Sequence, residues 1–262
     1  MIPVYRKIRK KMADDNKPIK YARYAIGEIL LVVVGILIAL QVNTWNEERK
    51  QRQVEVKYFY NLKNDLMADL AQLDVMVDFS RTKVQAAKSL KIKADRDSIS
   101  SLYDFTDEML TLILSGEFRP NDNTYEEMKS SGNFSSIDND DLKLKLMNLK
   151  KTYLEIEGSQ KHMRNDYDVF LEDFEKYVDW GKYYDLEKSN IPKIDLKNDS
   201  LYIESHKKIM EQEIHELYKN KVFLNNIFLL EINYNYIIDV FNKTKPQIFE
   251  ITDILNSELE KE

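Results

Sequence analysis

Apolar and polar positions divide the chain into helical stretches, and the first of these is apolar on every side. Residues 24–46 read YAIGEILLVVVGILIALQVNTWN, and the run from Ile29 to Leu40 is uncharged and apolar throughout. About 20 apolar residues, each rising about 1.5 Å, cross the hydrocarbon layer of a membrane. The pattern therefore predicts a transmembrane helix at 24–46, with Tyr24 and Trp45 as its interfacial anchors.

After this segment the helical pattern continues, but its apolar residues fall on one face only. Their spacing of three and four residues predicts that the same helix runs on into an amphipathic stretch. The positions on this face are Phe59, Leu62, Leu66, Leu70, Leu73, Met76 and Ser80. Three aromatic residues, Tyr58, Phe59 and Tyr60, are consecutive, so at least one of them must face outward.

Two shorter helices are predicted next. The first ends near Leu114, and Gly116 is expected to take the left-handed conformation just beyond its end. The second opens with a capping box formed by Thr124 and Glu127, and Gly132 closes it.

A long helix follows, with its start signalled by Asp138 and Asp141 and a length of roughly 40 residues, or about 60 Å. Gln160 occupies one position of its otherwise apolar face. The other positions on that face are Leu142, Leu146, Leu149, Tyr153, Ile156, Met163, Tyr167, Phe170, Phe174 and Tyr177.

The last long helix is predicted from near Leu201 to near Lys243, with Thr244 and Pro246 opening a separate terminal helix. Its stretch Val222–Phe241 is apolar nearly all round, which fits either a second membrane span or a buried helix of a bundle. Polar side chains are costly in a membrane and favour the buried helix. They are Asn225, Asn226, Glu231, Asn233, Asn235 and Asp239.

Composition agrees with an all-α fold, because only 6 Gly and 5 Pro interrupt the chain. We expect an N-terminal transmembrane helix that continues into an antiparallel bundle of long helices. The predicted organisation is a basic cytoplasmic segment at 1–23, the span at 24–46, and an extracytoplasmic helical domain at 47–262.

Charge indicates the orientation. Residues 1–23 carry eight basic and two acidic side chains, whereas the whole chain has a net charge of −6. The positive-inside rule therefore places the N-terminus in the cytoplasm and the acidic domain outside, which is the periplasm in a Gram-negative cell. The alternative of a cleaved signal peptide is disfavoured, since no small-x-small cleavage site follows Leu40. An acidic domain also argues against a nucleic-acid partner.

The basic segment has two interpretations, a topology signal alone or an additional contact with anionic lipids of the bilayer. The lipid-facing residues would be Arg6, Lys7, Arg9, Lys10 and Lys11.

Within the span, Glu28, Gly35 and Ala39 share nearly one helix face, which predicts a helix–helix contact with another copy or another membrane protein. Alternatively, Glu28 lies near the cytoplasmic interface, where a tilted helix keeps its carboxylate in water.

Catalytic chemistry has little support in the sequence. The chain has no cysteine, which excludes disulfides and thiolate catalysis, and its three histidines form no HExxH motif. No phosphate-binding glycine loop or G-x-S-x-G elbow is present. We therefore expect no enzyme activity, no cofactor and no metal. A groove containing Tyr234 and Tyr236 would suit a ligand, although core packing is the favoured explanation of these residues.

Three segments resemble an uncharacterised family of bacterial single-span proteins: KYARYAIGEILLVVVGILIALQVNTWNEERK, YFYNLKNDLMADL and NDNTYEEMKSSGNFSSIDNDDLKLKLMNL. The resemblance implies a helical extracytoplasmic domain and no particular activity. It also assigns Gly27, Glu28, Gly35, Gln41, Asn43 and Trp45 to a family-type span motif.

Two functional hypotheses follow. The first is a non-enzymatic, membrane-anchored interaction or scaffold protein that assembles as a homo-oligomer or with another membrane protein. The alternative is a ligand-sensing bundle that signals through a membrane partner.

Overall fold

Six helices and no strand occupy the residues described by the computed structural model, namely 18–99, 101–179 and 200–261. The prediction of an all-α fold is therefore confirmed. The helices are α1 (Pro18–Asp95), α2 (Leu102–Ile113), α3 (Asn123–Ser130), α4 (Asp140–Phe174), α5 (Ser200–Lys219) and α6 (Lys221–Leu259).

Contacts divide the chain into two units with a boundary between Lys57 and Tyr58, and α1 contributes residues to both. Within the first unit the large apolar side chains of α1 between Ile26 and Trp45 are exposed, from 44% at Val33 to 73% at Leu31. Among the described helices, α1 alone is long and apolar enough to cross a membrane, and none of its most apolar stretch is buried inside the protein. The exact limits of the predicted span and outer domain stay predictions.

In the second unit α6 runs antiparallel to α4. Asn139 donates to Glu258 at one end of this pair of helices, and Asn233 donates to Asp166 towards the other, each at 2.8 Å. Residue numbers therefore rise along α4 as they fall along α6.

Within the second unit, α1 runs parallel to α4 and antiparallel to α6. Asp69 of α1 is bonded to Tyr153 of α4, and further along both helices Ser80 and Tyr167 line one cavity. Lys245 of α6 pairs with Asp74 of α1 at 2.5 Å. The chain must therefore return from the end of α1 to the level of Tyr58 and Asp65 before α4 begins, and α2, α3 and their loop make that return.

Two groups of buried apolar side chains form the core of this unit. The first joins α1, α3, α4 and α6 and includes Phe59, Leu73, Leu146 and Phe241. The second joins the end of α1 to α2, α4, α5 and the start of α6. It is built on Leu90, Ala94, Phe105, Met109, Phe170, Ile214 and Phe223.

The predicted register of α1 is confirmed, since every position from Phe59 to Ser80 on the predicted face is buried. Tyr60 is the outward-facing member of the aromatic trio. In α4 the predicted face is buried or half-buried as far as Phe174, while Tyr177 lies beyond the helix end and is exposed.

Two of the predicted helix ends are wrong. The residue capping the end of α2 is Leu114, which is extended, and Gly116 does not take the left-handed conformation. The capping box of α3 is also absent, because the hydroxyl of Thr124 donates to Asp65 of α1 at 2.5 Å. Glu127 instead accepts a hydrogen bond from the Tyr58 hydroxyl at 3.0 Å.

The predicted last helix is divided differently from the expectation. A break at Asn220 separates α5 from α6, and the Asn220 side chain caps α6 by accepting from the backbone of Val222 and Phe223. Pro246 lies inside α6 and begins no new helix. The Thr244 hydroxyl bonds back to Val240, one turn earlier, and caps nothing.

The stretch Val222–Phe241 packs as a helix of the bundle, as predicted in preference to a second span. Phe223, Ile227 and Leu230 are buried on its inner face. Its outer face leaves other apolar side chains exposed, namely Phe228, Leu229, Ile232 and Tyr236.

Left-handed backbone ends two of the helices. Gly132 has φ +81° and closes α3 as predicted. Asp97, with φ 45°, closes α1, where Asp97 and Ser98 donate to Ala94 and Lys93. This pairing is a Schellman motif with an aspartate in the position that glycine usually takes.

Two glycine-to-alanine substitutions should change stability in opposite directions. Gly132→Ala should lower the free energy of unfolding by about 1 kcal/mol, because a Cβ is strained at positive φ even though space is open around it. Gly158→Ala, in the exposed interior of α4, should raise it by about 0.5–1 kcal/mol. Urea unfolding of the detergent-solubilised protein measures both, and shifts of the same sign would contradict the assignment of strain to Gly132.

Candidate functional site

The predicted contact residues of the span lie on α1 within the first unit. Glu28 is half-buried, Ala39 is exposed, and a Cβ placed on Gly35 would meet nothing within 4 Å. Their spacing of seven and four residues puts them on nearly one face of the helix. A second helix would find space there, and the contact itself stays a prediction.

The predicted membrane anchors are described only in part. Trp45 is 62% exposed on α1. The side chain of Tyr24 lies outside the described residues, as do the basic residues Arg6, Lys7, Arg9, Lys10 and Lys11.

Buried polar side chains in the second unit converge on the loop between α2 and α3 (residues 114–122, the α2–α3 loop). Asp69 of α1 is fully buried and accepts three hydrogen bonds. Two come from the backbone and side-chain amides of Asn121, both at 2.8 Å, and one comes from the Tyr153 hydroxyl at 2.6 Å. Burial raises the pKa of Asp69, while these donors oppose that rise.

Gln160 of α4 holds the middle of the α2–α3 loop. Its amide nitrogen donates to the Phe118 carbonyl at 3.0 Å, and its amide oxygen accepts from the Phe118 backbone N–H at 2.8 Å. Both backbone groups of Phe118 are therefore paired although no regular structure supplies a partner. Gln160, the single polar position on the predicted face of α4, therefore fixes the backbone of the loop.

Lys83 of α1 holds the start of the α2–α3 loop. Its ammonium group is fully buried and donates to the carbonyls of Thr111 at 2.7 Å, of Leu112 at 3.0 Å and of Leu114. These carbonyls end α2, where the helix dipole favours a cation. Burial lowers the pKa of Lys83 to about 8.

Aromatic rings surround the Lys83 ammonium group. Its nitrogen lies 4.8 Å from the centre of the Phe79 ring and 5.1 Å from that of Tyr234. Burial raises the pKa of Tyr234 to about 12, so its phenol stays neutral at physiological pH. The charge of Lys83 is therefore balanced by carbonyl dipoles and ring faces.

A cavity of about 80 Å³ lies beside this arrangement, between α1, α4, α6 and the α2–α3 loop. Ser80 lies on its α1 side. It is 1% exposed, and within the described chain its hydroxyl oxygen has no hydrogen-bond partner. The other lining residues are Met76, Ser115, Gly116, Glu117, Gln160, Met163, Arg164, Tyr167, Asp168, Tyr234, Ile237 and Phe241.

Close packing explains the glycine in the cavity wall. A Cβ on Gly116 would lie 3.0 Å from a ring carbon of Phe79 and 3.4 Å from the methyl carbon of Met76. Glycine therefore suits the close approach of the α2–α3 loop to α1, because a Cβ would require the Phe79 ring to move by a few tenths of an ångström. This is a different role from the helix end predicted for Gly116.

The histidines whose side chains are described do not gather around a metal. His215 lies 2.6 Å from the carboxylate of Asp97, and this hydrogen bond lowers the pKa of Asp97. His162 lies 3.6 Å from Asp166, and the side chain of His206 is outside the described residues. In the described part of the chain no group of three or more His, Asp or Glu residues could hold a metal ion.

These features define an all-helical protein with one apolar helix long enough to cross a membrane and a helical bundle whose α2–α3 loop is fixed by buried side chains of α1 and α4. The chain belongs to the family of unknown function DUF6090, which matches residues 28–205. Comparison with curated proteins finds no match. Comparison with solved structures also finds none. The family carries no activity over to this chain, so the functional argument rests on the residues above.

The lowered pKa of Lys83 predicts a pH dependence of stability. Between pH 8 and its ordinary pKa of 10.5, Lys83 is protonated in the unfolded chain but increasingly neutral in the folded one. The unfolded state then binds more protons, so rising pH stabilises the fold.

We therefore compare the native protein with Lys83→Met. The difference in their free energies of unfolding should shift in favour of the native protein by about 2 kcal/mol between pH 8 and pH 9.5. Urea unfolding in detergent measures it, and the shared tyrosine titrations cancel in the difference. A difference independent of pH would contradict the lowered pKa.

Proposed function

We propose that this protein is a single-pass membrane protein that acts without catalysis, as an anchored interaction or scaffold protein. Residues 1–23 lie in the cytoplasm, α1 crosses the inner membrane at 24–46, and the helical domain at 47–262 lies outside, in the periplasm of a Gram-negative cell. The protein assembles through its span with further copies or with another membrane protein.

The observation that carries the proposal is the exposed apolar surface of α1. A helix that is apolar on all sides is either buried in protein or placed in lipid. None of the most apolar stretch is buried within this chain. Water would solvate so large an apolar surface poorly, whereas a bilayer would solvate it well.

The proposed orientation follows from the charge difference across the span. Eight basic residues precede it within residues 1–23, and the remainder of the chain is acidic. Insertion retains short basic segments on the cytoplasmic side.

A non-catalytic role agrees with how the buried charged groups are used. Asp69 and Lys83 are the fully buried ionisable side chains among the described residues, and both bind the backbone of the α2–α3 loop or its flanking helix. Neither lines the cavity beside Ser80. A catalytic acid or base would need access to a substrate, which these two groups lack.

Single cysteines test the topology, because the natural chain has none. Asp14→Cys should be protected from a membrane-impermeant maleimide in cells with a permeabilised outer membrane, and Ser257→Cys should be labelled. Ser257 is exposed on α6, so its labelling reports location and is not limited by burial.

After lysis with detergent both variants should react, which controls for intrinsic reactivity. The reverse labelling pattern would invert the proposed orientation. Recovery of the native protein in the soluble fraction would overturn the membrane anchor.

Crosslinking in native membranes tests assembly through the span. We expect a defined homo-oligomer or partner complex for the native protein. The yield of this complex should fall at least about fivefold in Glu28→Leu, because membrane helices gain about 1 kcal/mol from one polar contact. Glu48→Leu makes the same exchange at an exposed position outside the span and should leave the complex intact. An unchanged complex in Glu28→Leu would exclude this carboxylate from the contact.

A further inference from the structure

The cavity beside Ser80 has a polar feature that its neighbours do not explain. Buried hydroxyls on helices usually bond to the carbonyl one turn earlier, as Thr244 and Thr252 do here. Ser80 is equally helical but makes no such bond in the described chain, and it forms part of the cavity wall. An unpaired buried hydroxyl is destabilising, so a partner of some kind is favoured there.

Four of the other polar side chains around the cavity are already engaged. Gln160 is paired with Phe118, and the Tyr167 hydroxyl donates to the Ile113 carbonyl. At the rim Arg164 forms an ion pair with Glu117. Ser80 therefore remains as a buried donor and acceptor for an incoming molecule.

Apolar side chains form much of the remaining wall. Met76 of α1, Met163 of α4, and Ile237 and Phe241 of α6 line the space next to Ser80. Methionine adapts its shape to different apolar partners. The part of a ligand that lies beyond Ser80 should accordingly be apolar.

The charges near the cavity disfavour an ionised ligand. Lys83 lies behind the Tyr234 ring, with its ammonium nitrogen 5.1 Å from the ring centre, and would oppose a cation. Glu117 and Asp168 at the rim would oppose an anion, since only one arginine accompanies them in the lining. A neutral molecule avoids both penalties.

The volume limits the size of the ligand. About 80 Å³ is smaller than the roughly 150 Å³ of apolar cavities that bind benzene in full. However, Arg164 and Asp168 are exposed, so the cavity opens towards solvent beside them. A single ring or a short chain can therefore enter with its polar end first and project its other end outward.

We propose that this cavity is a binding site for a small neutral alcohol or phenol, whose hydroxyl group bonds to Ser80 and whose apolar body contacts Met76, Met163 and Phe241. All of these residues lie in the second unit. The site is therefore independent of the membrane anchor and of assembly through the span, and either proposal can fail without the other.

Fluorine NMR on the detergent-solubilised full chain tests the site, with 3-fluorophenol as the probe and fluorobenzene as its analogue without a hydroxyl. We expect saturable binding of 3-fluorophenol, at least about fivefold tighter than fluorobenzene, which is the factor that one net hydrogen bond supplies. The anion 3-fluorobenzoate should bind more weakly than 3-fluorophenol. Partition into micelles is not saturable and is subtracted with protein-free detergent.

Ser80→Ala should remove the preference for 3-fluorophenol over fluorobenzene. It should also raise the thermal unfolding midpoint of the unliganded protein, because it deletes an unpaired buried hydroxyl. Ser159→Ala is the matched control, since its hydroxyl bonds within α4 and does not line the cavity; it should bind like the native protein.

Met163→Phe fills the cavity and should weaken binding of both probes, with its unfolding midpoint recorded to confirm that it folds. Absence of saturable binding to the native protein would overturn the proposal and assign the space to water alone. Retention of the phenol preference in Ser80→Ala would overturn the role of Ser80. Binding of 3-fluorobenzoate as tight as that of 3-fluorophenol would overturn the neutral class of ligand.

Discussion

A loop that packs between helices must obtain from their side chains the hydrogen bonds that its own backbone cannot make. Backbone amides and carbonyls removed from water are costly unless they are paired. The α2–α3 loop meets this constraint at three points, with Lys83 at its start, Gln160 in its middle and Asp69 at its end. Because α1 and α4 run parallel, the chain needs such a return segment, and the three polar side chains hold that segment against the bundle, with Phe118 as its buried residue.

The pairing of Asp69 and Lys83 with the loop explains why these buried charged groups do not form an active site. An aspartate and a lysine inside a protein would ordinarily suggest an active site, because perturbed pKa values cluster at functional sites. Here their partners are backbone atoms, and neither side chain lines the cavity. Ser80 is also buried on this helix face, but it differs from both because no group among the described residues bonds to its hydroxyl. Asp69 and Lys83 therefore stabilise the bundle, whereas Ser80 is available to a ligand.

Apolar periodicity was sufficient to predict the helices, because burying one face of each helix is what makes the bundle stable. The buried positions of α1 and α4 follow from spacing alone. Polar residues on the same face were harder to interpret. Asp69 and Lys83 continue the alternation of three and four residues that runs through Leu66, Leu73 and Met76, but an apolar pattern passes over both because they are charged.

The reason is physical, since a polar residue can lie on a buried face only if distant parts of the chain supply its partners. Asn121 and Tyr153 lie far from Asp69 in sequence, and no local pattern predicts that they bond to it. The predictions of two helix starts were wrong for a related reason. Thr124 and Pro246 carry strong local signals for a helix start, but tertiary contacts and the continuing register of α6 outweigh them. The cavity beside Ser80 likewise arises from packing among four segments, which spacing along one helix cannot describe.

The antiparallel position of α6 has a consequence for the order in which the protein can be made. Lys245 meets Asp74 across a separation of 171 residues. Ile237, Ile248 and Leu255 of α6 complete the first core group together with α1 and α4. During synthesis the apolar faces of α1 and α4 therefore leave the ribosome well before the helix that covers both of them. Until α6 arrives, the apolar faces of α1 and α4 lack this cover, and transiently exposed apolar surface of this kind is prone to association with neighbouring chains.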